Sequence, residues 1–204
     1  MTLVSHLFMT KGRLEAFSDA VIAIILTIMV LELKVPHEPE FSALMPLLPV
    51  MTSYILSFIY LGIYWNNHHH LFQAVKHVRG GVLWANMHLL FWLSLVPFVT
   101  SWMGENSFAS APMAAYGIVL LGAAISYTIL VRALLKNHGP DSTLAQAIGK
   151  DFKGNVSLIA YIIGALLAMV APAISGLLYA AVAILWLVPD RRIERVLVDG
   201  NSEH

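Results

Sequence analysis

The residues best placed to do chemistry in this sequence are polar ones embedded in apolar runs. Arg13, Ser18 and Asp19 open the first run, with Asp19 about one turn inside it. Trp65, Asn66, Asn67, His68, His69 and His70 close the second run, and Asn86 and His88 fall one or two turns into the third. An ionisable side chain at hydrocarbon depth is costly and is usually paired or hydrated. Three helices place polar groups at one depth, so a hydrogen-bonded network among Arg13, Ser18, Asp19, His68 and Asn86 is inferred. The chemistry open to such a cluster is narrow. Consecutive helical residues point about 100° apart, so the three histidines cannot converge on one ion. Helical metal pairs favour positions i and i+4, and four residues after His70 stands Ala74. No metal site and no cofactor are expected. The chain has no cysteine, which excludes disulfides and thiol chemistry. No nucleophile set is spaced for a single reaction centre, so no enzyme is expected. A proton-coupled secondary transporter using Asp19 and His68 is the alternative. Carriers of that kind usually bind near the midplane on broken helices of repeated units. Here there is no acid at mid-depth and no evident repeat.

The elements that must position these groups follow from composition. Of 204 residues, 58% are hydrophobic and 12% charged, against roughly 25% charged in average soluble domains. The apolar residues fall in blocks near the length that crosses ~30 Å of hydrocarbon. Six spans are expected, at about 16–33, 47–64, 82–100, 112–130, 156–173 and 174–188, in a single all-α transmembrane domain covering 1–204. The last two are read as short helices joined by a tight turn near Pro172 and Gly176, because one helix of that combined length exceeds the usual span of ~17–25 residues. Charge tests the count. Lysine and arginine collect in cytoplasmic loops. Lys11, Arg13, Lys76, Arg79, Arg132, Lys136, Lys150, Lys153, Arg191, Arg192 and Arg195 all fall on one side of a six-span arrangement, and Lys34 alone falls on the other. Both termini are therefore expected in the cytoplasm. The first outer loop instead holds Glu32, Glu38 and Glu40. Lys136–Gly154 reads as the longest inner loop, polar and including Gly139, Pro140 and Gly149. Asp19, the length of the first run and the lack of a small-residue cleavage site argue against a cleavable signal peptide. Net charge is zero, so nothing favours nucleic acid as a partner. Gly117–Gly122 and Gly164–Ala168 suggest close helix packing. Pro97 is placed to kink the third span. Trp84, Trp92, Trp102 and Trp186 read as belt or packing residues.

The segment from Arg13 to Ile24, with Phe17, Ser18 and Asp19 in register behind Arg13, resembles the R-x-x-x-F-S-D signature of the transmembrane protein 175 family, the lysosomal potassium channels and their shorter bacterial relatives. Leu31 to Pro36 is similar to the end of that family's first helix, and Trp65, His68, Leu71 and Phe72 resemble its second-helix motif. Asn86 and Leu95-Val96-Pro97-Phe98 extend the likeness, which covers roughly residues 13–100. The resemblance implies a potassium-selective cation channel. The family's animal members carry two six-span repeats and work as dimers, so one repeat implies a homotetramer. The family's pore is lined by the first helix, and it lacks the T-V-G-Y-G filter, as this sequence does. A bacterial-type member implies a multi-pass protein of a prokaryotic inner or plasma membrane, with monovalent cations as permeant ions.

The first span suits that role. Taking Ile24 as reference, Phe17, Ala20, Ile28 and Leu31 lie within about 40° and Thr27 within about 60°, while Asp19 lies about 140° away. The resemblance places a constriction at Ile24, with Thr27, Ile28 and Leu31 continuing the lining. Narrow apolar rings gate by expelling water. Thr27 offers a hydroxyl ring, and Glu32 at the outer mouth raises local cation concentration. Arg13, Phe17, Ser18, Asp19, Trp65, His68 and Asn86 are expected to lock the first helix into its subunit.

Overall fold

A computed structural model describes residues 10–75, 77–139, 142–148 and 151–187. Lys76, Pro140, Gly149, Lys150, Val188, Arg191, Arg192 and Arg195, named above, lie outside the described residues. The described chain forms α1 (Lys11–Leu31), α2 (Leu48–Gln73), α3 (Gly80–Ser94), α4 (Val96–Glu105), α5 (Ser110–His138), α6 (Thr143–Ile148), α7 (Phe152–Leu167) and α8 (Pro172–Leu187), with a 3-10 helix over Phe41–Leu47. The protein is an integral membrane protein. The helix α1, the run from Phe41 through α2, the pair α3–α4, and α5 are each long and apolar enough to cross a bilayer. The apolar helices α7 and α8 are shorter, at 16 residues each, or about 24 Å at 1.5 Å per residue.

Proline sets the two breaks. Pro97 stands two residues after Leu95, where α3 gives way to α4. Its missing N–H removes one rung of the helical ladder, so the third span is two helices in line. Pro172 opens α8, where the absent N–H costs nothing. The turn between α7 and α8 therefore lies at 168–171, and Gly176 sits inside α8 rather than in the turn. Five ends also differ from expectation. Helix α1 starts at Lys11 and stops at Leu31, α2 runs on to Gln73, α5 runs on to His138, and α7 stops at Leu167. The extensions of α2 and α5 carry histidine and lysine into the last turns, where cations oppose the helix dipole. The expected inner loop shrinks to match, since α6 occupies part of it. Gly139 ends α5 with φ of 86°, a left-handed conformation that glycine adopts at no steric cost. Its N–H returns to the Leu135 carbonyl.

Lipid is as apolar as leucine, so burial of apolar surface does little to hold helices together in a bilayer. Close approach and interhelical hydrogen bonds matter more. Both are present. A Cβ built on Gly117 would stand 2.0 Å from the Tyr179 hydroxyl, and one on Gly122 would stand 2.3 Å from the Trp92 ring. Thr100 donates to Ser57 Oγ (2.7 Å), which pairs with the Tyr116 hydroxyl (2.9 Å). Tyr60 donates to the Tyr179 carbonyl, and Ser175 donates to the Gly164 carbonyl. These contacts weld α2, α4, α5, α7 and α8 into one bundle. Helix α1 lies against α2, α3 and α4 at its edge.

Candidate functional site

Helix α1 has two unlike faces. Leu14, Ser18, Ile22, Ile25 and Met29 are buried, at about 80–160° from Ile24 on an ideal helix. Phe17, Ile24, Ile28 and Leu31 are exposed, Ile24 by 57% and Leu31 by 81%. Thr27 is exposed with them. The stripe around Ile24 thus turns away from the helix's own bundle.

The buried face is pinned by a directional chain of hydrogen bonds. Asn86 Nδ2 donates to Ser18 Oγ (2.9 Å), and Ser18 donates to the Leu14 carbonyl (2.9 Å). The Asn86 carbonyl oxygen, paired with His68 Nε2 at 2.9 Å, can only accept. His68 therefore carries its proton on Nε2. Ser18, His68 and Asn86 are all buried. The chain ties α1 to α3 and α3 to α2 at the end of the bundle where α1 begins.

Asp19 and Arg13 stand outside this chain. Asp19 accepts from Trp65 Nε1 at 3.0 Å at an exposed position. The Trp65 ring stacks on His69, 5.9 Å between centroids. Arg13 is exposed, and among the described residues it makes no hydrogen bond or ion pair within the chain. The expected single network therefore divides into a buried Ser18–Asn86–His68 chain and a surface Asp19–Trp65 pair. The three histidines diverge as their spacing requires. His68 turns inward, while His69 accepts from Gln73 Nε2 at 2.9 Å and His70 pairs with Gln73 Oε1 at 3.4 Å.

The exposed stripe continues into an open groove of about 690 Å3. Ile24, Ile28 and Glu32 of α1 and its cap form one wall, and Ser94, Pro97, Ser101 and Glu105 of α3–α4 form the other. At its far end Lys34 Nζ meets Glu105 Oε1 at 2.7 Å. That hydrogen bond and the Glu105 charge raise the Lys34 amine above its ordinary 10.5. The ion pair was not read from the sequence. The signal available was that Lys34 is the lone basic residue on its side. His88 was read without a partner. It accepts from Trp92 Nε1 (3.2 Å) and pairs through Nδ1 with Ser126 (3.0 Å), linking α3 to α5.

This geometry has known counterparts. The family model described as "Endosomal/lysosomal potassium channel TMEM175" matches residues 13–97, the stretch that holds α1, both polar clusters and Pro97. A potassium channel of Chryseobacterium sp. (strain P1-3) is 56% identical over 192 residues, covering 94% of this chain and 100% of that one. The crystal structure of a lysosomal potassium-selective channel TMEM175 homolog from Chamaesiphon minutus superposes with a TM-score of 0.75 at 29% identity, covering 87% of this chain and 96% of the other. An endosomal/lysosomal proton channel TMEM175 of Danio rerio is 28% identical over 135 residues, 64% of this chain and 25% of that protein.

Proposed function

We propose that this chain, which belongs to the TMEM175 family, is one of four identical subunits of a potassium-selective channel whose pore is lined by α1. In this reading both termini face the cytoplasm of a prokaryotic cell whose inner or plasma membrane holds the channel. The observation that carries the reading is the opposition of faces on α1. A helix held on one side by Ser18–Asn86–His68 presents Ile24, Thr27, Ile28 and Leu31 on the other.

Around a four-fold axis that stripe makes an apolar neck, with Ile24 as its narrowest ring. Such a ring stops ions by shedding water when tight and passes partly hydrated ions when wider. Thr27 adds an oxygen ligand. Its hydroxyl donates backward to the carbonyls of Ala23 (3.1 Å) and Ile24 (2.8 Å). The hydroxyl proton is thereby committed to the helix, and the oxygen lone pairs remain for a cation. Four such oxygens replace some hydration water, which costs less for K⁺ than for the more strongly hydrated Na⁺. Glu32, exposed at the α1 terminus, draws cations to the mouth. A proton-coupled carrier using Asp19 and His68 gains no support, since the two side chains make no direct hydrogen bond and Asp19 is engaged by Trp65.

The deciding experiment reconstitutes the purified chain in liposomes and measures reversal potentials under opposed K⁺ and Na⁺ gradients. The reversal potential is expected to move toward the K⁺ equilibrium value, with resolved unitary currents. Current that reverses midway between the two, or transport without unitary steps, overturns the proposal.

A further inference from the structure

Away from α1, the basic end of the bundle encloses a second cavity, between α2, α5, α7 and α8. Its volume is about 40 Å3, room for roughly three waters or one small group such as a methylammonium. Its walls are aromatic: Tyr64, Tyr127, Tyr161 and Trp186, with Tyr60 behind them. Tyr64 and Tyr127 meet edge to face, 6.3 Å between centroids. One carboxylate, Asp151, stands in the lining, and no basic side chain does.

The lining offers several acceptors for a cation's N–H groups or for its charge. Asp151 caps α7 through a single oxygen, Oδ1, which accepts from the Gly154 N–H at 2.8 Å. Its second oxygen is not used in any hydrogen bond among the described residues. The Tyr64 hydroxyl has no hydrogen-bond partner among the described residues. Tyr127 spends its proton on the Asn67 carbonyl (3.2 Å), which leaves its oxygen an acceptor. Trp186 is held by its Nε1–H bond to Ser157 (2.8 Å) and already carries one cation on its face, the Lys153 amine at 5.8 Å from the ring centroid. Aromatic rings with a nearby carboxylate are how proteins hold ammonium groups.

We propose that this cavity binds one ammonium group, either a small free organic cation or the head of an aminophospholipid. The site lies in the subunit's own bundle, apart from the groove beside Ile24.

The test uses the full chain in nanodiscs of phosphatidylglycerol, which carries no amine, with methylammonium chloride as probe and sodium chloride at equal ionic strength as reference. A ligand that binds only the folded protein raises Tm in a saturable way. Methylammonium is expected to raise Tm where sodium does not. Asp151→Asn, which keeps a capping side chain, is expected to raise the half-saturating concentration about tenfold, and Tyr64→Leu is expected to raise it similarly. Ile24→Asn is expected to leave it unchanged, which separates this site from the pore. Nanodiscs enriched in phosphatidylethanolamine distinguish the source. Weaker apparent methylammonium binding there assigns the site to the lipid head, and unchanged binding assigns it to a free cation. The proposal is overturned by a Tm response equal to that of sodium in both lipids. It is equally overturned by a response that survives Asp151→Asn, or by one abolished by Ile24→Asn.

Discussion

Asn86 joins three helices with one amide group, accepting from His68 and donating to Ser18. Replacing it with leucine strands the buried His68 N–H, and an unmet buried donor costs about 1–3 kcal/mol. Asn86→Leu is therefore expected to lower Tm of the detergent-purified chain by several degrees, and an unchanged melting curve would show the chain of bonds to be idle. Asp19 predicts a different pattern. Its carboxylate bonds Trp65 at an exposed position, so removing it leaves no buried group unpaired in the subunit. Asp19→Ala is expected to lower tetramer yield more than it alters the K⁺/Na⁺ permeability ratio. Size-exclusion chromatography and reversal potentials on the same preparation check this. A normal tetramer peak with altered selectivity would move Asp19 from assembly into conduction. Apart from Arg13, which joins neither, the members of both clusters were legible, because polar residues inside apolar runs are few. Their pairing was not. Whether Asp19 meets a histidine or Trp65 depends on how α1 and α2 are rotated about their own axes, and periodicity fixes the phase within one helix, not between two.

At the scale of elements, glycine marks where helices touch, and its cost of replacement varies with the neighbour. Tyr179 fits between Gly117 and Gly164. A Cβ on either would fall within 2.5 Å of its ring or hydroxyl, so the side chain cannot retreat from one into the other. Gly117→Ala is expected to cost about 1–3 kcal/mol, the usual range for overpacking. Gly62→Ala meets no atom within 4 Å and is expected to be neutral or to gain about 0.5–1 kcal/mol from helix propensity. Thermal unfolding of the two variants side by side gives the comparison, and equal effects would remove the packing account. The tie between α1 and α4 at Lys34 and Glu105 is exposed and screened by salt. The raised lysine value means the pair's contribution is present below 10.5 and is lost only as pH climbs past the raised value, so acidification to neutral pH leaves the Lys34 charge in place. Six apolar spans, the break at Pro97 and the α7–α8 turn were readable, since run length and proline act locally. The 3-10 helix at Phe41–Leu47 and the short α6 were not. Neither has a periodic apolar face long enough to distinguish it from loop.

At the scale of the whole molecule, a single subunit leaves an apolar edge open along α1. Ile24, Ile28 and Leu31 are exposed on α1, and Pro97, Phe98 and Trp102 face them across an open groove. In lipid this exposure is permitted, so apolarity alone does not identify a pore. The stripe also carries Thr27, a polar oxygen aimed outward among isoleucines with its own proton committed to the helix, as exposed Thr52 and Ser94 do elsewhere. Facing hydrocarbon, those lone pairs gain nothing. In the proposed tetramer they face three copies of themselves and form a ring that ligates a cation just beyond the Ile24 neck. The two positions therefore predict separable effects. Ile24→Asn wets the neck and is expected to raise basal current while lowering the K⁺ over Na⁺ ratio, because ions then pass with more of their hydration. Thr27→Val keeps shape and apolar width but deletes the oxygen. It is expected to leave the closed level of the channel intact while lowering K⁺ selectivity severalfold. Single-channel recording of both variants under the same ionic gradients reads the two quantities independently. If Thr27→Val conducts and selects as the parent does, the oxygen ring is not where K⁺ is chosen. If Ile24→Asn is silent in both, α1 does not line the path.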